Sequence, residues 1–210
     1  MADTEITTLA DGAQIAIRPV QPADKEGIAD GFDRLSARSR YRRFFAPLEH
    51  LTPADLRYLT ELDHHRHEAL IAYEVESGQS LGVARFVLTD DPRYAEVAVT
   101  VVDDWQHRGV ASALLERLVV RAREEGVTHF VALILDENDD ALALYRGLAP
   151  DGGEPRRSAS GHLELVIELP APGEPFGETR LGEALRETAE HKLTINPWRV
   201  LKRHLQFRGD

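Results

Sequence analysis

The stretch VTVVDDWQHRGVA, residues 99–111, decides the reading of this chain. Val99, Thr100 and Val101 belong to an apolar, β-type run. An acidic turn follows, then a loop that carries Gly109 straight into a helical pattern over residues 112–125. The start of a helix leaves backbone N–H groups without intrahelical partners and presents the positive end of the helix dipole. Gly109 and Ala111 add almost no side chain, so a phosphate can come close to those groups. Gln106, His107, Arg108, Gly109, Val110, Ala111 and Ser112 are therefore candidates to cradle an anion. The loop holds no Gly-Lys-Ser or Gly-Lys-Thr, so no lysine and hydroxyl stand ready for a nucleoside triphosphate and its magnesium. It also lacks three glycines in the dinucleotide spacing. An ordinary strand–helix turn would carry the same residues, so the flanking chain has to decide.

Working outward, residues 14–20 alternate and end near Pro19, as a first strand does. Residues 25–35 place Ile28, Phe32 and Leu35 at helical spacing. Thr52-Pro53-Ala54-Asp55 opens another helix with a hydroxyl cap, proline in the first turn and a carboxylate behind it. Its buried face is Leu56, Leu59 and Leu62. Residues 68–76 and 81–89 are two strands joined at Ser77-Gly78-Gln79, and residues 95–102 form a third. After the helix, which ends at Gly126, come a strand at 130–135, a helix at 139–148 and a last strand at 162–169. Beyond Pro170 the run APGEPFGE is rich in proline and glycine and reads as a linker. Two short helices, at 179–193 and 197–207, are expected to follow. The order β, α, α, three meandering strands, α, β, α, β is α/β (α+β) with a mixed sheet. The expected division is a domain at 1–169 and a linker with a C-terminal helical extension at 170–210.

Composition narrows the function. An apolar share of 42% suits a globular core. No run of about 18 apolar residues is present, and the polar, acidic start MADTEITTLADGAQ is no secretory signal, so neither membrane insertion nor export is expected. Cysteine is absent, which removes thiolate metal sites and an acyl-cysteine intermediate. The cytoplasm is the simplest compartment. A net charge of −11 argues against nucleic acid as a partner. Asp63-His64-His65-Arg66-His67-Glu68 is rich in ligand types, yet at helical spacing only His64 and His67 would share a face, and no metal is expected.

Four matches, in order along the chain, then resemble one family. Gln106-x-x-Gly109-x-Ala111 resembles the acyl-CoA pyrophosphate loop of the GNAT acetyltransferases. Asn138-x-x-Ala141-x-x-Leu144-Tyr145 resembles their Asn…Ala…Leu-Tyr helix. Leu35-Ser36…Ser39-Arg40-Tyr41-Arg42-Arg43-Phe44-Phe45, with Leu59-Thr60-Glu61-Leu62-Asp63 and Glu68-Ala69-Leu70-Ile71-Ala72, resembles the bacterial Pat-type protein lysine acetyltransferases. Tyr94-Ala95-Glu96-Val97-Ala98-Val99 is similar to their Ala-Glu strand. The resemblance covers about residues 13–169. It implies the GNAT fold, a mixed central sheet flanked by helices, with acetyl-CoA as co-substrate. It implies Glu96 as general base, Tyr145 as the acid that protonates the departing thiolate, Asn138 on the pantetheine amides, and Val99, Thr100 and Val101 along the cofactor. The acceptor it implies is a lysine on a protein, such as an acyl-CoA synthetase. The family's Gly-Phe after the tyrosine helix is replaced here by Ala149-Pro150, a departure expected to reshape the wall near the sulfur.

The chemistry wants these types. A lysine of pKa near 10.4 is neutral about once in 2,500 at pH 7, roughly 4.6 kcal/mol of barrier, so a base is needed. Glu96 shares its strand face with Ala98, Thr100 and Val102, where partial burial makes it a stronger base. An amide in 99–101 can stabilise the thioester oxygen if that strand is splayed from its neighbour. Arg40, Arg42 and Arg43 suit either substrate or cofactor-phosphate binding or a solvated or salt-bridged face. Trp198, Leu201 and Leu205 give the last helix an apolar stripe suited to docking on the domain or on a second subunit in a homodimer, with recognition of a substrate protein as the alternative. Two rivals to a lysine acetyltransferase stay open: a GNAT enzyme for a small amine, and a non-catalytic acyl-CoA-binding module.

Overall fold

The computed structural model describes residues 4–135, 155–157 and 162–169. Among them the strands are β1 (Glu5–Thr8), β2 (Gln14–Pro19), β3 (His67–Glu74), β4 (Ser80–Leu88), β5 (Tyr94–Val101), β6 (His129–Ile134), β7 (Arg156–Arg157) and β8 (Leu163–Glu168). The helices are α1 (Lys25–Asp33), α2 (Ala37–Phe44), α3 (Pro53–Thr60) and α4 (Val110–Glu124). The strands form one sheet in the order β1-β2-β3-β4-β5-β6-β8-β7. Every neighbouring pair is antiparallel except β5 with β6, which run parallel across the α4 crossover. The mixed sheet flanked by helices is therefore present as expected. β1 was not anticipated: its Ile6 is exposed, so the strand lacks the half-buried alternation that marks one.

Alternation along the central strands sorts the two faces. Ala95, Val97, Val99 and Val101 of β5 join Ala84 and Phe86 of β4 against Leu114, Leu115 and Leu118 of α4 in the main core. The other face carries Val20, Ala69 and Ile71, covered by Ile28 of α1 and Leu59 of α3. A smaller cluster of Phe32, Leu35 and Phe44 pins α2 to α1.

Local chemistry sets the helix starts. Thr52 accepts from the Asp55 amide at 3.2 Å and the Asp55 carboxylate accepts from the Thr52 amide at 2.8 Å, a capping box with proline behind it. The entry to α1 is held by Asp24, which accepts both Arg18 Nη groups at 2.7 Å, the Gln21 amide at 2.7 Å and the Tyr73 hydroxyl at 2.9 Å. That fork ties β2 and β3 to the first helical layer. Arg40 does similar work for α2, donating to the carbonyls of Leu35, Asp33 and Glu49 at 2.8–3.0 Å.

Candidate active site

The sheet opens at Glu96. β5 and β6 are in register only at Tyr94↔His129, Ala95↔Phe130 and Glu96↔Val131. Yet β5 stays paired with β4 as far as Val101↔Gly82, and β6 with β8 as far as Ile134↔Leu163. The two halves of the sheet part beyond Glu96, and the β6-facing edge of residues 97–101 has no ladder partner in β6. Backbone groups along such an edge call for another partner. The edge is braced from behind: a Cβ on Gly82 would lie 2.5 Å from the Thr100 carbonyl oxygen, so glycine lets β4 and β5 approach there.

The loop expected to cradle an anion follows β5 directly in the chain. Val102 leads into a single turn at Asp103–Trp105, and α4 starts at Val110 with Gly109 as its N-cap. Gly109 has φ +91°, a conformation L side chains rarely adopt, so backbone geometry favours glycine there. The first intrahelical bond is Ala113 N to Gly109 O at 3.0 Å, which leaves the amides of Val110, Ala111 and Ser112 ahead of it at the helix start. His107 also has positive φ, +63°. Arg108 lies over the Trp105 ring at 3.7 Å and donates through Nε to Asp11 at 2.6 Å, so the turn before β2 anchors the loop. Gln106 folds back, its Nε2 donating to the Val101 carbonyl at 3.1 Å and to Asp103 at 3.2 Å. Its amide therefore caps the end of β5.

Glu96 is half-buried at the fork with Oε2 sealed from solvent. It shares its face with Ala98 and Thr100, and with Val87, Arg85 and Val83 across β4. Tyr58 of α3 belongs to the same environment. Burial pushes its hydroxyl up to about 12; the Arg85 charge opposes this, the Glu96 charge adds to it, and Arg43 opposes it again. Arg85 and Arg43 are both buried. Burial brings the Arg85 guanidinium down to about 10, and it lowers Arg43 further, helped by the charge of Arg85. Arg85 donates to His67 Nε2 at 2.9 Å and to the Leu59 carbonyl at 3.3 Å, while Arg43 Nε donates to the Thr100 hydroxyl. Of the readings open for the α2 arginines, a solvated position does not hold for Arg43, which is buried. Sequence reasoning missed Arg85 and Tyr58. The one available signal was a charge inside the apolar run LGVARFVL.

The histidine-rich segment is a turn leading into β3, so helical spacing does not apply to it. His64 bonds Glu68 at 2.8 Å, His65 lies 3.2 Å from Glu125, and His67 accepts from Arg85. Among the described residues no cluster could hold a metal ion, and no helix is long and apolar enough to cross a membrane. Asn138 and Tyr145, the helix proposed at 139–148, Ala149-Pro150 and the extension at 170–210 lie outside the described residues.

The profile of the acetyltransferase (GNAT) family matches residues 35–149. The chain belongs to that family. This acetyltransferase is 38% identical over 181 residues to Acetyltransferase Pat of Mycolicibacterium smegmatis, covering 84% of this chain and 53% of that one, so it spans about half its relative's length. It is 31% identical over 126 residues to an acetyltransferase of Pseudomonas aeruginosa, covering 59% of this chain and 68% of the relative. Among solved structures, the GNAT domain of S. lividans PAT superposes on the acetyltransferase with a TM-score of 0.70 at 31% identity, over 79% of this chain and 97% of that one.

Proposed function

We propose that this acetyltransferase moves an acetyl group from acetyl-CoA to the side-chain amine of protein lysines, by direct attack in a ternary complex. The observation that carries it is the parting of β5 from β6 at Glu96, with the start of α4 at Gly109 following β5 through one short loop. A backbone edge lacking ladder partners suits the amides of a pantetheine arm, and a helix start entered through a left-handed glycine suits a pyrophosphate. Acetyl-CoA, when bound, supplies an activated acyl carbon and a thiolate leaving group.

The placement of the described residues supports these roles. Val110, Ala111 and Ser112 donate backbone N–H groups to the pyrophosphate, while Gln106 holds the end of β5 in position. The free edge at Val99, Thr100 and Val101 runs beside the arm, and one of its amides faces the oxygen on which charge grows. Glu96 takes the proton from lysine Nζ as the nitrogen bonds to the acyl carbon. Its half-buried position beside Tyr58, at the point where β5 and β6 part, supports that role. The resemblance to the family's Asn…Leu-Tyr helix, rather than placement, gives Tyr145 the proton for the sulfur as the C–S bond breaks and Asn138 the pantetheine amides. The absence of cysteine supports direct transfer. The resemblance to the Pat-type protein lysine acetyltransferases supports a protein acceptor, and an acyl-CoA synthetase from the same cell is the natural candidate.

Incubation with isotope-labelled acetyl-CoA and such a synthetase, read by mass spectrometry, tests this. Labelled lysines on the synthetase are expected. Transfer only to small amines would overturn the protein-acceptor assignment, and tight cofactor binding with no transfer to any amine would identify a sensor.

A further inference from the structure

Between α1, α2 and the β4–β5 pair lies a cavity of about 60 Å³. Its walls are largely apolar, with Ile28, Phe32 and Leu59 among them, yet both Arg43 and Arg85 line it, and so does Thr100. Arg43 is 5% exposed and Arg85 2%. Arg43 Nη1 and Arg85 Nε are buried with no hydrogen-bond partner. No carboxylate pairs with either guanidinium among the described residues: Arg43 meets the Thr100 hydroxyl and the face of Phe44, and Arg85 meets an imidazole and a carbonyl. The two charges disfavour each other, as the lowering of Arg43 by Arg85 records. Buried cations are ordinarily paired, and unmade donors in such a place are costly.

We propose that this cavity is a carboxylate pocket, with Arg43 and Arg85 as its donors. The planar guanidinium fork matches a carboxylate in two parallel hydrogen bonds. Size agrees. A water needs about 10–15 Å³ on this measure, so the space holds a carboxylate with one or two methylenes and excludes a nucleotide or sugar phosphate. Position suggests whose carboxylate it is. Thr100 lies on the Glu96 face of β5, four residues on, which is about 13 Å along the strand. An extended acceptor covers that distance in about four residues. A lysine placed at Glu96 could thus send a neighbouring aspartate or glutamate into the pocket. This last step rests on Glu96 as the acceptor-side base; the pocket itself does not. A free small carboxylate is the alternative source of the same group.

Two arms separate the sources. In the first, the full chain is titrated with [13C]formate at constant ionic strength, reading line broadening and the thermal midpoint. Saturable binding is expected in the wild type, lost in Arg43→Met and weakened at least tenfold in Arg43→Lys, which keeps charge and stem if the methionine variant does not fold. In the second, acetylation of lysine peptides with Glu scanned through the flanking positions is compared with Gln counterparts. The Glu peptide is expected to have at least a tenfold lower KM at one position, a preference that Arg43→Lys erases and formate competes away. Formate binding without peptide preference assigns the pocket to a free carboxylate. Peptides that are never acetylated would count against the transferase reading while leaving the formate arm to decide the pocket. No saturable formate effect together with equal KM values would overturn the proposal and leave the arginines as structural pins.

Discussion

Replacing Gly109 separates cofactor contact from backbone strain, because α4 has a matched glycine at its other end. Gly109 has φ +91° at the N-cap and Gly126 has φ +79° just past the C-terminus. A Cβ at Gly126 meets nothing within 4 Å, so Gly126→Ala reports the cost of a left-handed alanine alone, about 1–2 kcal/mol. Gly109→Ala carries the same strain and also sets a methyl group beside the amides of Val110, Ala111 and Ser112. Urea unfolding of both variants is expected to show similar stability losses. Calorimetric titration with acetyl-CoA is expected to show at least tenfold weaker binding for Gly109→Ala, about 1.4 kcal/mol, and wild-type binding for Gly126→Ala. Gly109→Val is expected to bind more weakly still, since a β-branched residue is poorly tolerated at positive φ. Equal affinities for the two alanine variants would refute the assignment of this loop to the pyrophosphate.

Two further predictions use other parts of the chain. Burial by itself would raise the Asp24 carboxyl, but Arg18, the Gln21 amide and Tyr73 outweigh it and hold it below the model-compound value of 3.8. A depressed folded-state pKa contributes stability above the unfolded value, and that contribution is lost as pH falls through the folded one. Asp24→Asn is therefore expected to be destabilised at pH 7, with its gap from wild type closing below about pH 3.8 in chemical denaturation. Tyr145→Phe is expected to lower turnover about 10- to 100-fold with acetyl-CoA affinity unchanged, by steady-state kinetics and calorimetry; full turnover would return Tyr145 to a packing role.

What could be read from the residues depended on how local the cause was. The start of α3 was legible because Thr52, Pro53 and Asp55 satisfy its first amides within one turn. The β5–loop–α4 passage was legible because a helix start and a small residue act on the same few atoms. β1 was hidden, as its polar, exposed residues gain their order by pairing with β2. α2 was hidden because its run ARSRYRRF looks solvated, although Arg43 turns inward to Thr100. The parting of β5 and β6 was foreseen only as a condition on the chemistry. It depends on pairings between segments more than thirty residues apart in the chain, which no local pattern encodes. Glu68 illustrates the same limit: the start of a strand gave no sign that its carboxylate would be fully buried between His64 and Arg121.

The pH–rate profile of Glu96→Gln tests the central claim most directly. The substitution keeps shape and removes basicity, so transfer to lysine is expected to slow by roughly 10²–10⁴-fold at pH 7 with acetyl-CoA affinity unchanged. Bulk solvent then has to supply neutral lysine. The rate of the variant is therefore expected to climb about tenfold per pH unit to near pH 9–10, while the wild type levels off earlier. A variant with the wild-type rate and the wild-type profile would contradict the account.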